Sequence, residues 1–419
     1  MLNKIIIFLL EIGFCIKFNI VGTISLSELV LIGTSFWYVK KDLFIKYPIL
    51  KTITWLYIGL LLSQILSEIV IGNIFSNSLK GYAVTIVSYL HFIFLFSLFV
   101  KNRKYIIYAI IGVLVSNFLF GSQFEGDVSE VVNGEGATFL KFYLAPLIIN
   151  ILLLISILTK KRIITLLCIF IGLAFMILGA RNSGLSIFLT GTIAYSILFI
   201  LKRKIDKNRL VIMVLITSIV GYGMYIVYVN NVLDGKIVAG NSSQLKNAKN
   251  PYNPVNLLLL GRTETFVGWL AFMDKPFFGH GAWAIDSTGK YRILAFKLID
   301  GTYRESNRID LIPCHSVLIG SGMQNGILAF WFMGSIFILI IKIGIKTLNK
   351  NDFYLIINIY SIVFILWNGL FSPVSHFRLS LPLYFAFLMA SYFINEKKAK
   401  RRRNYLMIKN REKISSAIN

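Results

Sequence analysis

KKRIITLLCIFIGLAFMILGARNSGLSIFLTGTIAYSILFILKRKIDKNR, residues 160–209, decides how this chain folds. It opens on Lys160, Lys161 and Arg162 and runs apolar over 163–179. It turns through Gly179, Ala180, Arg181 and Asn182, then runs apolar again over 184–201. It closes on Lys202, Arg203, Lys204, Lys207 and Arg209. Each apolar run is near the ~20 residues that a helix needs to cross a hydrocarbon core of ~30 Å. Lys and Arg collect in the short loops on the cytoplasmic side of membrane proteins. The stretch therefore reads as a hairpin of two membrane helices, with its ends inside and its turn outside.

The same pattern repeats outward in both directions. Apolar periodicity places helices near 4–20, 24–40, 50–71, 81–100, 104–121, 138–159, 163–179, 184–201, 210–230, 313–341, 353–371 and 377–395. Basic clusters follow every even helix: Lys40, Lys41, Lys46 and Lys51; Lys101, Arg103 and Lys104; the two clusters above; then Lys342, Lys346 and Lys350. The short odd loops hold only Lys80, Arg181 and Arg378. The expectation is an all-α polytopic membrane protein of about twelve transmembrane helices, a single integral domain over 1–419. Both termini lie in the cytoplasm. One large extracytoplasmic loop spans 231–312, and a basic cytoplasmic tail spans 396–419.

Composition agrees. Of 419 residues 56% are hydrophobic, and only 15% are charged, against about 25% in soluble domains. The net charge of +24 sits mainly in the inner loops, so membrane orientation rather than nucleic-acid binding accounts for it. The run KKAKRRRN at 397–404 suits anionic lipid headgroups. Cys15, Cys168 and Cys314 have neither disulfide nor metal spacing. Lys4, Glu11 and Lys17 within the first apolar stretch make it a retained helix rather than a cleaved signal.

Chemistry gathers at the outer face. An arginine at a helix centre costs roughly 2.5–3.5 kcal/mol on insertion scales, so one beside hydrocarbon is a functional candidate. Arg181 stands where the eighth helix starts, among outward-pointing backbone N–H groups that favour an anion; the bland alternative is a snorkelling side chain. Arg262 opens GRTETFVGWLAF in the long loop, whose apolar spacing suits an amphipathic helix along the membrane face. It could equally be a solvated arginine paired with Glu264. Together the two arginines could grip a pyrophosphate bidentately. His315 re-enters the membrane in PCHSVLIGSG and could take a proton from a hydroxyl, or simply be a hydrogen-bonded residue at a helix start. Glu264, Trp269, Asp310, His376 and Arg378 are further candidates for the same cavity. His280 and His91 read as structural. Gly322 and Gly326 read as a helix-packing pair. The acidic residues Glu125, Asp127, Glu130 and Glu135 are too loosely spaced for a metal site, and no nucleotide-binding loop is present.

The order GR…W…A…P…G-x-G, then an outer-face histidine, then G-I-L-A-F, resembles the O-antigen polymerase and ligase superfamily, closest in style to the Wzy-type polymerases of surface polysaccharides. The residues that carry the resemblance are Gly261, Arg262, Trp269, Pro276, Gly279, Gly281, His315 and Gly326, with Gly179-Ala180-Arg181 resembling the second arginine motif. Ser316 stands where the family often has asparagine, and Gln324 where it often has an acidic residue. The resemblance implies a GT-C-like, metal-independent glycosyltransferase of the bacterial cytoplasmic membrane that needs no cofactor. The implied donor and acceptor are undecaprenyl-pyrophosphate-linked glycans, with a chain-length regulator as a further partner. Arg181 and Arg262 would bind pyrophosphate, and His315 would activate or orient the acceptor. A ligase would share the donor site. A flippase for the same lipid would instead want charges deep in the bundle, where only Glu11, Lys17, Glu28 and Glu68 qualify.

Overall fold

The computed structural model describes residues 1–19, 22–120, 139–159, 161–178, 180–200, 207–235, 245, 250–253, 256, 262–298, 311–349 and 351–418. The chain is about 80% helical, and among the described residues the only sheet has two short strands. That sheet corrects the expected first helix. Helix α1 (Leu2–Gly13) stops early, and the chain turns back as β1 (Lys17–Asn19) and β2 (Thr23–Ser25), paired antiparallel with Phe18 opposite Ile24. Gly22 takes φ 80° in the turn, and β-branched residues on either side favour strands. Ser25 then caps α2 (Leu26–Tyr38): its hydroxyl accepts from the Glu28 amide while the Glu28 carboxylate accepts from its own N–H. S-x-x-E is a start signal legible in the sequence.

The remaining helices follow in order. They are α3 (Lys41–Lys46), α4 (Pro48–Ile71), α5 (Phe75–Phe99), α6 (Tyr105–Phe120), α7 (Ala145–Leu158), α8 (Lys161–Ile177), α9 (Arg181–Tyr195) and α10 (Lys207–Leu233). Then come α11 (Thr263–Asp274), α12 (Lys290–Leu298), α13 (Val317–Lys346), α14 (Leu355–Phe371), α15 (His376–Leu379) and α16 (Leu381–Ile418). A π-helical turn, Leu140–Leu144, leads into α7. Four helical spans among the described residues are long and apolar enough to cross a membrane: α4, α5, Leu140–Leu158 and α13. Leu26–Ser35, α6 and α14 are apolar but shorter. The basic residues expected as a tail from 396 are helical and continue α16 to Ile418; Lys, Arg, Glu, Leu and Met are good helix formers, and no Gly or Pro interrupts them.

The core is aromatic. Phe92, Phe94, Phe96 and Phe99 of α5 are buried with Phe377, Phe385 and Phe387, and the Tyr57 ring stacks near-parallel on Phe377 at 5.7 Å. In lipid, apolar burial against acyl chains gains little, so close approach and dispersion must hold helices together. Glycines permit it. Gly59 lies under the Phe332 ring, and a Cβ on Gly184 would come within 2.7 Å of the Met176 amide nitrogen, so α8 and α9 pack backbone to backbone.

One helix is broken. Within α13, Gly326 takes φ 78° and ψ −170°, a conformation open essentially to glycine alone. The segment after α11 docks into the break. The His280 N–H donates to the Met323 carbonyl (2.8 Å), the Gly281 N–H to that of Gln324 (2.8 Å), and the Ile327 N–H to that of Pro276 (2.7 Å). Groups freed from the helix ladder are thus satisfied, as low dielectric demands. The same segment is fastened from behind by Glu68. Its carboxylate accepts from the Ala282 N–H (2.6 Å), the Ser78 hydroxyl (2.7 Å) and the Asn73 amide (2.7 Å), and the Ser67 hydroxyl donates to the Phe278 carbonyl. Glu68, a candidate deep charge by sequence, is an anchor. Gly326 is not the helix-packing partner expected of it, whereas Gly322 faces the Phe272 ring of α11 at 3.2 Å.

The α5–α6 and α13–α14 turns are tied by a buried ion pair. Arg103 makes two bonds to Asp352, 2.7 and 3.0 Å, and lies 4.7 Å over the Tyr354 ring. Asn395 of α16 donates to the same carboxylate at 3.1 Å. Burial alone would raise the Asp352 carboxyl, but the guanidinium overrides it and holds the group below its usual range.

Candidate functional site

A cavity of about 720 Å³ opens among α1, α2, α6, α7, α9, α13, α14 and α15. Arg262, His315, His376 and Arg378 all line it, although they are far apart in sequence. Arg262 is the N-cap residue of α11. Its guanidinium donates to the Phe371 carbonyl (3.0 Å) and to the Asn182 side-chain oxygen (2.7 Å), and it lies over the rings of Trp367 at 5.2 Å and Phe371 at 5.5 Å. The aromatic faces and the fixed acceptors hold the fork in one orientation.

The Asn182 contact brings in the other arginine motif. Arg181 opens α9, so its backbone stands one residue from the group that Arg262 grips. Its side chain lies outside the described residues, as do Gly179, Gly261 and Asp310. The acidic residues at 125–135 lie outside them too.

His315 sits on the non-helical link into α13. The expected helix over 313–341 starts only at Val317, because Ser316 caps it: the Ser316 hydroxyl accepts from the Ile319 N–H (3.1 Å) and donates to the Gly369 carbonyl (3.1 Å). The imidazole Nδ1 pairs with the Glu264 carboxylate, and the Thr265 hydroxyl donates to the His315 carbonyl at 2.9 Å. The side chain and the carbonyl of His315 are therefore both held by the first turn of α11, the turn that Arg262 caps. With Nδ1 bonded to a carboxylate, the neutral imidazole carries its proton there and its lone pair on Nε2.

His376 also lines the cavity, its Nδ1 3.3 Å from the Ser380 hydroxyl. Loss of hydration, with His315 nearby, holds its imidazole down to about 3, so it stays neutral at physiological pH. Arg378 reaches back to the N-terminal hairpin, 3.2 Å from the Glu28 carboxylate and 3.2 Å from the Thr23 carbonyl. Its own carbonyl lies 3.3 Å from His91 Nδ1. It is a clamp as well as a lining residue. Burial pushes the Cys314 thiol up to about 12, so it holds little thiolate at neutral pH.

Trp269 is placed elsewhere. It is 41% exposed and packs edge-on against Phe272 and Phe330, away from the cavity lining. Glu264 is not a lining residue either; it acts on the cavity through His315. Among the described residues no group of three His, Cys, Asp or Glu is placed to hold a metal ion.

Sequence reasoning missed several lining residues: Trp367 and Phe371 over Arg262, Lys141, and the lone amides Asn117 and Asn150. The amides had a signal, since a polar side chain inside an apolar run asks for a partner. The aromatics had none. In comparisons with known proteins, no family model matches this sequence, and no curated protein does.

Proposed function

We propose that this protein is a membrane glycosyltransferase that joins polyprenyl-pyrophosphate-linked repeat units at the outer face of the cytoplasmic membrane. On this reading the chain crosses the membrane about twelve times in a GT-C-like arrangement, with residues 231–312 outside and both termini inside. One observation carries it: a cation fork, Arg262, and a carboxylate-oriented histidine, His315, share one cavity and one supporting turn.

The chemistry balances without an added reagent. The acceptor hydroxyl oxygen attacks the anomeric carbon of the donor sugar. The bond from that carbon to the pyrophosphate oxygen breaks, and its electron pair leaves with the polyprenyl pyrophosphate. His315 accepts the hydroxyl proton, and the Glu264 carboxylate stabilises the imidazolium that forms. Arg262, with Arg181, offsets the charge that grows on the leaving group. Ser316 is engaged in capping α13, so on this reading acceptor selection falls to other cavity residues.

A second reading has an observation in its favour. Glu11, Glu28 and Arg378 lie on the cavity wall and α13 is broken, features that suit a flippase. Here, however, Glu28 and Arg378 clamp one another, and the break is filled by the chain's own segment. Chain extension on purified lipid-linked repeat units separates the readings. His315→Gln should cut extension by roughly 10²–10⁴-fold while leaving pyrophosphate binding and thermal stability unchanged. Extension near the normal rate by the variant would remove His315 as the base, whereas no extension by the unmutated protein would leave transport as the better account.

A further inference from the structure

A second set of polar side chains lines the cavity, and its chemistry differs from that of the arginines. There α6 packs between α1 and α7, and the wall carries Glu11, Asn117 and Asn150, one from each helix. All three are buried, at 2%, 8% and 6% exposure. A polar group buried in an apolar bundle costs free energy unless it is hydrogen-bonded. Elsewhere in the same wall that rule is kept: Asn368 donates to the Phe364 carbonyl (2.8 Å) and accepts from the Ser372 hydroxyl (2.7 Å).

In the second set such partners are missing. Among the described residues, neither Asn117 nor Asn150 has a side-chain hydrogen-bond partner, and Glu11 Oε1 accepts no hydrogen bond, with His91 Nε2 standing 3.5 Å away. Two amides with no protein partner, and a carboxylate whose nearest partner is His91 at 3.5 Å, line one cavity on three helices and leave hydrogen-bonding capacity for a ligand. Each amide offers two donors and an acceptor, and the carboxylate only accepts. A ligand that meets all three must present several groups that both donate and accept within a short span. Hydroxyls on a sugar ring do so. The Phe14 and Tyr384 rings in the same wall offer faces for the ring's C–H edges. A phosphate is disfavoured by Glu11, and a cation by Lys17 and Lys141 in the same wall.

We propose that this part of the wall is a saccharide subsite, in which Glu11, Asn117 and Asn150 hold a neutral sugar ring of the substrate by its hydroxyls. The proposal rests on the glycosyl-transfer reading for the source of the sugar; the site's own chemistry does not depend on it.

The test uses the full chain in lipid nanodiscs and two probes, a panel of neutral methyl glycosides and inorganic pyrophosphate. Binding is read by saturation-transfer NMR and titration. At least one glycoside should bind, and Asn117→Leu and Asn150→Leu should each weaken it roughly tenfold or more, the scale of one unmade hydrogen bond at a buried site. Pyrophosphate binding should be unchanged in both. Arg262→Ala should do the reverse. Asn150→Ala, which cannot overfill the wall, replaces the leucine variant if that one unfolds. Absence of binding by every glycoside, or equal binding by wild type and variants, overturns the subsite. Failure of the glycosyl-transfer reading looks different: glycosides still bind, but chain extension and pyrophosphate binding are both missing.

Discussion

Gly326→Ala should damage this protein far more than Gly322→Ala, although the two glycines form one G-x-x-x-G on the same helix. The perturbation is a single methyl group. At Gly326 the backbone holds φ 78° and ψ −170°, where a side chain costs about 1–3 kcal/mol in strain. The added Cβ would also meet the Phe277 carbonyl, which is backbone and cannot swing aside. The docked segment must then lift, breaking the three hydrogen bonds from His280, Gly281 and Ile327, each about 0.5–1.5 kcal/mol net and more if its partner stays buried. We expect a loss of at least about 3 kcal/mol, a large share of the 5–15 kcal/mol typical of a folded domain. Gly322 is helical, and its Cβ would touch only the Phe272 ring at 3.2 Å, which can give by a few tenths of an ångström. Thermal unfolding of both variants in the same detergent measures the difference. Gln324 and Met323 also line the cavity, so Gly326→Ala should weaken pyrophosphate binding as well. Equal midpoints for the two variants would mean that α13 is unbroken and the pair merely packs helices, and the cavity described above would fall with the break.

Other expectations are more local. Arg262→Lys should lose pyrophosphate binding almost as fully as Arg262→Ala, because a point charge cannot donate at once to Phe371 and Asn182 and still face a ligand; normal binding by the lysine variant would make Arg262 a structural residue. Removing one partner of the buried pair, as in Asp352→Asn or Arg103→Met, should cost about 3–5 kcal/mol, whereas the double change Arg103→Met with Asp352→Leu should recover most of it; the thermal midpoints decide. The Asp352 carboxyl is held below its ordinary value of 3.8, so the pair's contribution is complete above that pH and lost only as pH falls through the lower folded value; a loss beginning near neutral pH would contradict it. A cysteine at Asn241 should react with an impermeant thiol reagent in intact cells while one at Asn208 should not, and the opposite pattern would invert the proposed topology.

Much of the helical layout was legible because it rests on local causes. Apolar run length, basic clusters and start signals act within a few residues, so α4, α5, α6 and α14 lie close to where periodicity puts them. Boundaries failed where a tertiary partner decided them. Helix α1 ends at Gly13 because the chain returns along β2, with the Ser27 hydroxyl bonded to the Leu10 carbonyl. Helix α13 starts at Val317 because Ser316 reaches Gly369 as well as its own helix. The candidate arginines and histidines could be singled out, since charge beside hydrocarbon is costly anywhere.

What the sequence determined alone, then, is a largely helical chain with long apolar helices and a short set of candidate arginines and histidines. What only the tertiary structure decided is the grouping. Arg262 meets Asn182 across 80 positions, Glu264 meets His315, and Glu68 holds a loop more than 200 positions away. It also separated two glycines that look alike as letters, one packing against a ring and one opening a helix. The reason is physical: periodicity and charge patterning report a residue's own environment, whereas a buried hydrogen bond depends on which distant group fills the other half of it.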